Sequence, residues 1–417
     1  MNSIEKRCAE YKDAKTLQKI GLYPFFRPMT GSEGRRVNYG GKQMVMLGSN
    51  NYLGLTHEAR VKQAAKDAID KYGTGCTGSR FLNGNSDLHE QLETSFAKFF
   101  KKEAALVMTT GFLTNYTGIG TLVEKGDFIL SDSENHASII AGCRNTQAKT
   151  VVFNHNDMVD LEKKLAEIPA EATKLIVVDG VFSMTGELAK LPEIVALKKK
   201  VPNTWILVDD AHGLGAIGAT GRGTAEFFGL EDEIDLITAT FSKAMASLGG
   251  VIAGKKDVIH YLRHRARGFI FSAALPTASA AAVLKVLELI ESEPQHLKKL
   301  AENIEYLKNG YKNLGLPVLP SQSPILSIWI GDEVKSLKVV AALADLGVFA
   351  TPVLFPAVPF GNAIIRTSLM ASHSKEDLDF ALDAWSKVAD QLQLRVEAPS
   401  TDGLHSRAAG YSFEKFA

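Results

Sequence analysis

Two rhythms of hydrophobic and polar positions divide this chain. From residue 104 to residue 243, short apolar runs alternate with amphipathic stretches: AALVMTTG (104–111), DFILSD (127–132), TVVFN (150–154), KLIVVDGVFSM (174–184), WILVDDAHG (205–213) and DLITATFSK (235–243). Runs this short and this continuously apolar predict strands buried on both faces. Between them, apolar residues recur at helical spacing, as Met158, Leu161, Leu165 and Ile168 do within 157–168, where Asn156 or Asp157 is placed to cap. Strands alternating with helices predict an α/β fold, a mostly parallel sheet covered by helices on both sides.

After about residue 275 the rhythm changes. Helices are predicted over 277–292 and 296–314, followed by strand-like SPILSIWIGD (323–332), a helix near 336–346, strand-like AIIRTSLMAS (363–372) and a last helix over 374–394, which together read as a smaller α+β domain. The opening stretch, MNSIEKRCAEYKDAKTLQKI, is charged and helical in pattern and lacks the apolar core of a signal peptide. We therefore expect an N-terminal helix and arm over 1–55, a large ligand-binding domain over 56–290, a small C-terminal domain over 291–395 and a loose tail over 396–417. A chain of 417 residues is long enough for two domains.

Composition narrows the function classes. Basic and acidic side chains balance at 47 each, so no overall field favours nucleic acid or an anionic membrane. Cys8, Cys76 and Cys143 stand without pairing or metal-type spacing, which points to a reducing, cytoplasmic setting and to no metal site. No apolar run is long enough to cross a bilayer, although contact with a membrane surface stays open. The basic run YLRHRARGF (261–269) reads as a solvated helix face rather than a contact for coenzyme A phosphates, and without interleaved aromatics it does not read as a nucleic-acid surface.

In sheets of this kind ligands collect at the carboxyl ends of the strands. Those ends carry Thr109 to Phe112, Ser131 and Asp132 with His136 beyond, Ser183, Asp209 with His212, and Thr240, Ser242 and Lys243. GLGAIG (213–218) satisfies a dinucleotide-binding pattern, yet no helix opens directly after it and no later strand supplies a ribose-binding acid, so a flexible loop is the better reading. Lys243 is more informative. A lysine set among Thr, Ser, Ala and Gly beside a buried sheet is desolvated, its pKa falls, and it becomes able to form a Schiff base. The neighbouring hydroxyls, and the helix that Gly111 and Phe112 begin, suit a phosphate. An aldehyde carrying a phosphate is pyridoxal 5'-phosphate, and its ring nitrogen needs an acid such as Asp209.

VDDAHGLG, TFSKAMASLGG, DGVFSMTGELAKLPEI and SENHASII together resemble the α-oxoamine synthases, pyridoxal-phosphate enzymes of the aspartate-aminotransferase fold type (fold type I), and the resemblance runs from about residue 20 to residue 393. It implies that Lys243 bonds the cofactor and removes the amino acid's α-proton, that Asp209 pairs with the ring nitrogen, that His212 bonds the phenolic oxygen, and that His136 stacks on the ring. Ser183 resembles a serine near the ring oxygen. Thr240 and Ser242 would join Gly111 and Phe112 at the phosphate. Arg366 would hold the substrate carboxylate, supported by Asn50 or Asn51. In IFSAALP, Ser272 and Ala273 would reach the neighbouring subunit's phosphate, making a homodimer with shared active sites.

Within the family, YPFFRPMTG, GSNNYLGL, YGTGCTGSRFLNGNSDLHEQLE and HNDMVDLEKKL most resemble soluble bacterial serine palmitoyltransferases. The expected reaction is then decarboxylative condensation of L-serine with palmitoyl-CoA or another long-chain acyl-CoA. A relative using glycine or alanine is the alternative, and a non-catalytic partner subunit is disfavoured by Lys243, Asp209 and both histidines. Two departures stand out: Ala244-Met245 after the lysine, where a hydroxyl residue is often next, and the apolar VLFPAVPFG (353–361).

Overall fold

The computed structural model describes residues 2–398; from residue 399 onward the tail expected over 396–417 lies outside the described residues. The N-terminal stretch forms two helices, Ser3–Glu10 and Asp13–Lys19. A small antiparallel sheet follows, built from β1 (Gly31–Ser32), β2 (Arg36–Tyr39) and β3 (Lys42–Met46). Strands of two to five residues leave too little periodicity to be read from sequence.

Seven strands form the central sheet: β4 (Ala104–Met108), β5 (Phe128–Asp132), β6 (Lys149–Phe153), β7 (Lys174–Asp179), β8 (Thr204–Asp209), β9 (Leu236–Thr240) and β10 (Gly250–Gly254). Their order is β4-β10-β9-β8-β7-β5-β6. The pairings from β9 through β6 are parallel, whereas β10 runs antiparallel to both β4 and β9. In β4, β7, β8 and β9 the last residues of the apolar run leave the sheet and carry site groups, whereas β5 ends with its run at Asp132. Alternation along β4 shows why both faces are apolar: Ala105 and Val107 join one core, Leu106 and Met108 the other. Each fully buried Leu, Val or Ile contributes about 1.5–3 kcal/mol.

Helices cover the sheet at the positions the periodicity predicts. The helix Met158–Ala166 is capped by Asp157, whose side chain accepts from the Val159 and Asp160 amides; Asn156 instead lies in the left-handed region at φ 48°. The two long helices are Thr277–Ser292 and Gln295–Asn313, and the later ones Glu333–Asp345 and Lys375–Leu392. A third sheet, order β11-β14-β13, combines β11 (Ile325–Gly331), β13 (Thr351–Val353) and β14 (Ala363–Ser368), while β12 (Val348–Phe349) adds parallel to β3. The C-terminal segment is thereby tied to the N-terminal sheet.

One local expectation changes and another holds. Arg263 is not a freely solvated member of its basic run: it pairs with Glu90 and Glu93, which also bind buried Arg80. GLGAIG is a loop, as expected, in which Gly215 and Gly218 have positive φ. Among the described residues no helix is long and apolar enough to cross a membrane, and no group of three or more His, Cys, Asp or Glu side chains is placed to hold a metal ion.

Candidate active site

Asp209 ends β8 and is directly in register with Asp179 at the end of β7. Paired residues on parallel strands face the same way, so two carboxylates stand side by side, both nearly inaccessible to water. The Asp209 carboxylate accepts from Asn115 Nδ2 at 2.5 Å and from the Ala211 amide at 3.1 Å. Asn115 is oriented in turn by Thr238 Oγ1, which donates to its carbonyl at 2.7 Å. Burial first, and the adjacent Asp209 second, hold the Asp179 carboxyl well above the usual carboxylate range. Strand alternation sends the next residue, Asp210, to the opposite face, where it accepts from Thr224; burial carries its pKa to about 7.

His136 caps the helix Ala137–Arg144, its backbone amide donating to Asp179 at 2.9 Å and its Nδ1 lying 2.7 Å from Ser138 Oγ. Burial lowers its pKa. His212 is fully enclosed and lowered further, by burial first and by Lys243 next, so its ring is neutral. Its Nδ1 lies 2.6 Å from the hydroxyl of Tyr52.

Lys243 sits in the tight turn that joins β9 to β10. The Phe241 amide donates to the Gly249 carbonyl at 2.9 Å, the Ala246 amide to the Lys243 carbonyl at 3.0 Å, and Ala246 takes φ 56°. Small residues are required by contact. A Cβ on Gly249 would lie 2.6 Å from the Phe241 ring, and one on Gly250 would lie 2.8 Å from Gly111 Cα. Ala244 and Met245 are buried beneath the turn. Desolvation lowers the Lys243 amine to about 8, despite opposing attraction from Asp209 and Asp179. The amine has no hydrogen-bond partner among the described residues.

Gly111 opens the helix Gly111–Leu122, capped by Thr110, whose side chain accepts from the Leu113 amide. The free first amides of this helix face the same cavity as Thr240 and Ser242, whose hydroxyls are 2.9 Å apart. That cavity is about 320 Å³ and is lined by Gly111, Phe112, His136, Ser183, Asp209, His212, Thr240, Ser242 and Lys243, together with Asn115, Ser138, Asp179 and Leu248.

Arg366, buried on β14, donates from Nε to the Ser183 carbonyl at 2.6 Å, from Nη1 to Ser368 Oγ at 2.9 Å and from Nη2 to Asn50 Oδ1 at 3.0 Å. Asn50 is therefore the amide beside the arginine. Asn51 is turned away, donating to Thr56 Oγ1 at 2.8 Å, because its side chain serves the loop that follows β3. Ser272 and Ala273 do not line this cavity; Ala273 is exposed and Phe271 beside it is 80% exposed. Sequence reasoning missed Tyr52, Asn115 and Asp179. Asp179 had a legible signal, an acid closing an apolar run; Tyr52 had none beyond lying in GSNNYLGL, and Asn115 had none.

His155 and His260 lie outside this cavity and differ from each other in environment. Burial pulls His155 down, but hydrogen bonds to Asp132 and Glu187 outweigh it and carry it to about 9. His260 is exposed.

Comparison with known proteins places the chain in a family. The family described as aminotransferase class I and II matches residues 42–384. A serine palmitoyltransferase of Sphingobacterium spiritivorum is 45% identical over 391 residues, covering 94% of this chain and 98% of that protein. An 8-amino-7-oxononanoate synthase of Thermoanaerobacter pseudethanolicus is 43% identical, covering 94% of this chain and 100% of its own length. The solved structure of a serine palmitoyltransferase variant from S. paucimobilis, with pyridoxal phosphate and myriocin bound, superposes with a TM-score of 0.91 at 31% identity, over 94% of this chain and 100% of that one.

Proposed function

Because the chain belongs to the aminotransferase class I and II family, and within it to the α-oxoamine synthases, it is a pyridoxal-phosphate enzyme, and we propose that it condenses L-serine with palmitoyl-CoA, releasing CoA and carbon dioxide and yielding 3-oxosphinganine. Bound pyridoxal phosphate supplies an aldehyde for amines and a ring that accepts the electron pair left at Cα.

The residues fit that cofactor. A Cβ on Gly111 would lie 2.6 Å from Thr240 Cβ, so glycine keeps the helix amides close to the Thr240 and Ser242 hydroxyls, where a phosphate would be held. Asp209, fixed by Asn115, would keep a ring nitrogen protonated. His212 and Ser183 would face the phenolic oxygen, and His136 the ring. Lys243, with its amine near 8, is unprotonated in an appreciable fraction at neutral pH, as an attacking amine and a base for the α-proton both require.

The observation that carries the amino-acid substrate is Arg366. It is a buried guanidinium with no ion pair among the described residues, its donors gathered by Asn50, Ser183 and Ser368. A buried cation without a counter-ion is costly, and a substrate carboxylate would relieve that cost while fixing the amino acid over the cavity. The serine palmitoyltransferase relatives support serine and a long-chain acyl-CoA as the pair. A synthase of the 8-amino-7-oxononanoate type, taking alanine, is the second reading, supported by relatives at 43% identity. Ser272 and Ala273 would complete the phosphate site of a second subunit, which accounts for exposed Phe271 beside them. The cytoplasm is the proposed location.

Titration of the cofactor-loaded enzyme with serine, glycine and alanine, followed by palmitoyl-CoA and product mass, tests the reading. Serine should change the cofactor spectrum most and the product should keep its hydroxymethyl group; a response to alanine or glycine alone would replace serine.

A further inference from the structure

Tyr52 is completely buried, and its hydroxyl lies at the junction of the two halves of the site. It is 2.6 Å from His212 Nδ1, 3.3 Å from Asn50 Oδ1 and 3.5 Å from Arg366 Nη2. A tyrosine has one proton to give. At 3.3 Å the contact to Asn50 Oδ1 is long for a hydroxyl hydrogen bond, and the Arg366 cation faces the phenol oxygen as a donor, so the short contact to His212 is where the proton goes. His212 Nδ1 must then be the accepting nitrogen of a neutral ring, and Nε2 carries the hydrogen. Among the described residues Nε2 has no hydrogen-bond partner, and His212 lines the cavity.

We propose that Tyr52 is a positioning residue: it fixes the His212 tautomer that presents Nε2–H to the cavity, and it couples that hydrogen to the arginine that holds the substrate carboxylate. The proposal rests on the reading of the site given above. Burial supports it from both sides, raising the Tyr52 phenol and lowering the His212 imidazole, so neither group ionises in the neutral range. Without Tyr52 the ring is free to carry its proton on either nitrogen, and the donor to the cofactor's phenolic oxygen is lost for part of the time. A hydrogen bond to the ionised form favours that form. Losing it raises the pH at which the phenolate-bearing chromophore titrates.

The test is Tyr52→Phe in the cofactor-loaded enzyme, read as the pH midpoint of the cofactor's visible absorption band. The midpoint should rise by about one pH unit, less than a whole hydrogen bond to a charged oxygen because the donor is lost for only part of the time. In a His212→Ala background the same substitution should add no further rise, because Tyr52 acts through His212. The amine-free carboxylate 3-hydroxypropionate should shift the midpoint in the wild type and not in Tyr52→Phe. An unchanged midpoint in Tyr52→Phe, or an equal rise in both backgrounds, overturns the proposal. Should the variant fail to fold, nitrogen NMR of His212 in the wild-type enzyme decides: a proton on Nε2 supports the proposal and a proton on Nδ1 ends it. Failure of serine to perturb the wild-type spectrum would instead count against the substrate reading, leaving the tautomer result to stand or fall by itself.

Discussion

Lys243 shows how one side chain is prepared by its surroundings. Its amine titrates near 8 in the folded protein against 10.5 when exposed. Between those values the unfolded chain holds the extra proton, so stability rises with pH across the window; below it, folding bears the full cost of a desolvated charge. Protein stripped of cofactor should therefore gain stability at neutral pH from Lys243→Met, on the order of 2 kcal/mol, with the gain fading as pH rises from 8 toward 10.5. Urea unfolding of both proteins across that range checks the sign, and a difference independent of pH would mean that the amine is not desolvated. The lysine and the acid were legible from their types and their place at strand ends. The choice between Asn50 and Asn51 was not, since adjacent residues in a loop have no periodic rule and only the Arg366 and Thr56 contacts separate them.

At the scale of elements, the site is a junction. The first turn of the helix Gly111–Leu122 lies against the start of β10 with no room between: Gly250 and Gly111 would each clash if they carried a Cβ. Gly111→Ala should push the helix start away from Thr240, costing about 1–3 kcal/mol by overpacking. Its phosphate-binding amides would move with it, so cofactor affinity should drop at least in proportion to the melting temperature; fluorescence titration and thermal unfolding measure the two. Unchanged affinity would place the phosphate elsewhere. The parallel strands could be read from continuous apolar runs, but β10, GVIAG, could not: two glycines in five residues argue against a strand until a neighbour's backbone is seen to need that space.

Over the whole molecule, Arg366 ties the C-terminal sheet to the Ser183 carbonyl of the large sheet's loop and to Asn50 of the N-terminal segment, so three distant stretches meet at one guanidinium. The proposed dimer extends the same logic to a second chain. If Ser272 serves the neighbouring site, Lys243→Ala and Ser272→Trp should each be inactive alone, and mixing them under conditions that exchange subunits should recover activity, because one site of each hybrid has both native residues. No recovery, with hybrid formation verified by mass, would show that each subunit builds its site alone.

By itself the sequence determined the alternation of strand and helix, the change of rhythm near residue 275, and the kinds of groups gathered at the strand ends, because periodicity and residue chemistry are local properties. Only the tertiary structure decided which groups meet. That Asp179 stands beside Asp209, that Asn115 orients the acid, and that Tyr52 bridges His212 and Arg366 depend on strand register and on contacts between residues up to 316 apart in sequence. No spacing rule reaches that far: those distances exist only once the chain has closed around its core.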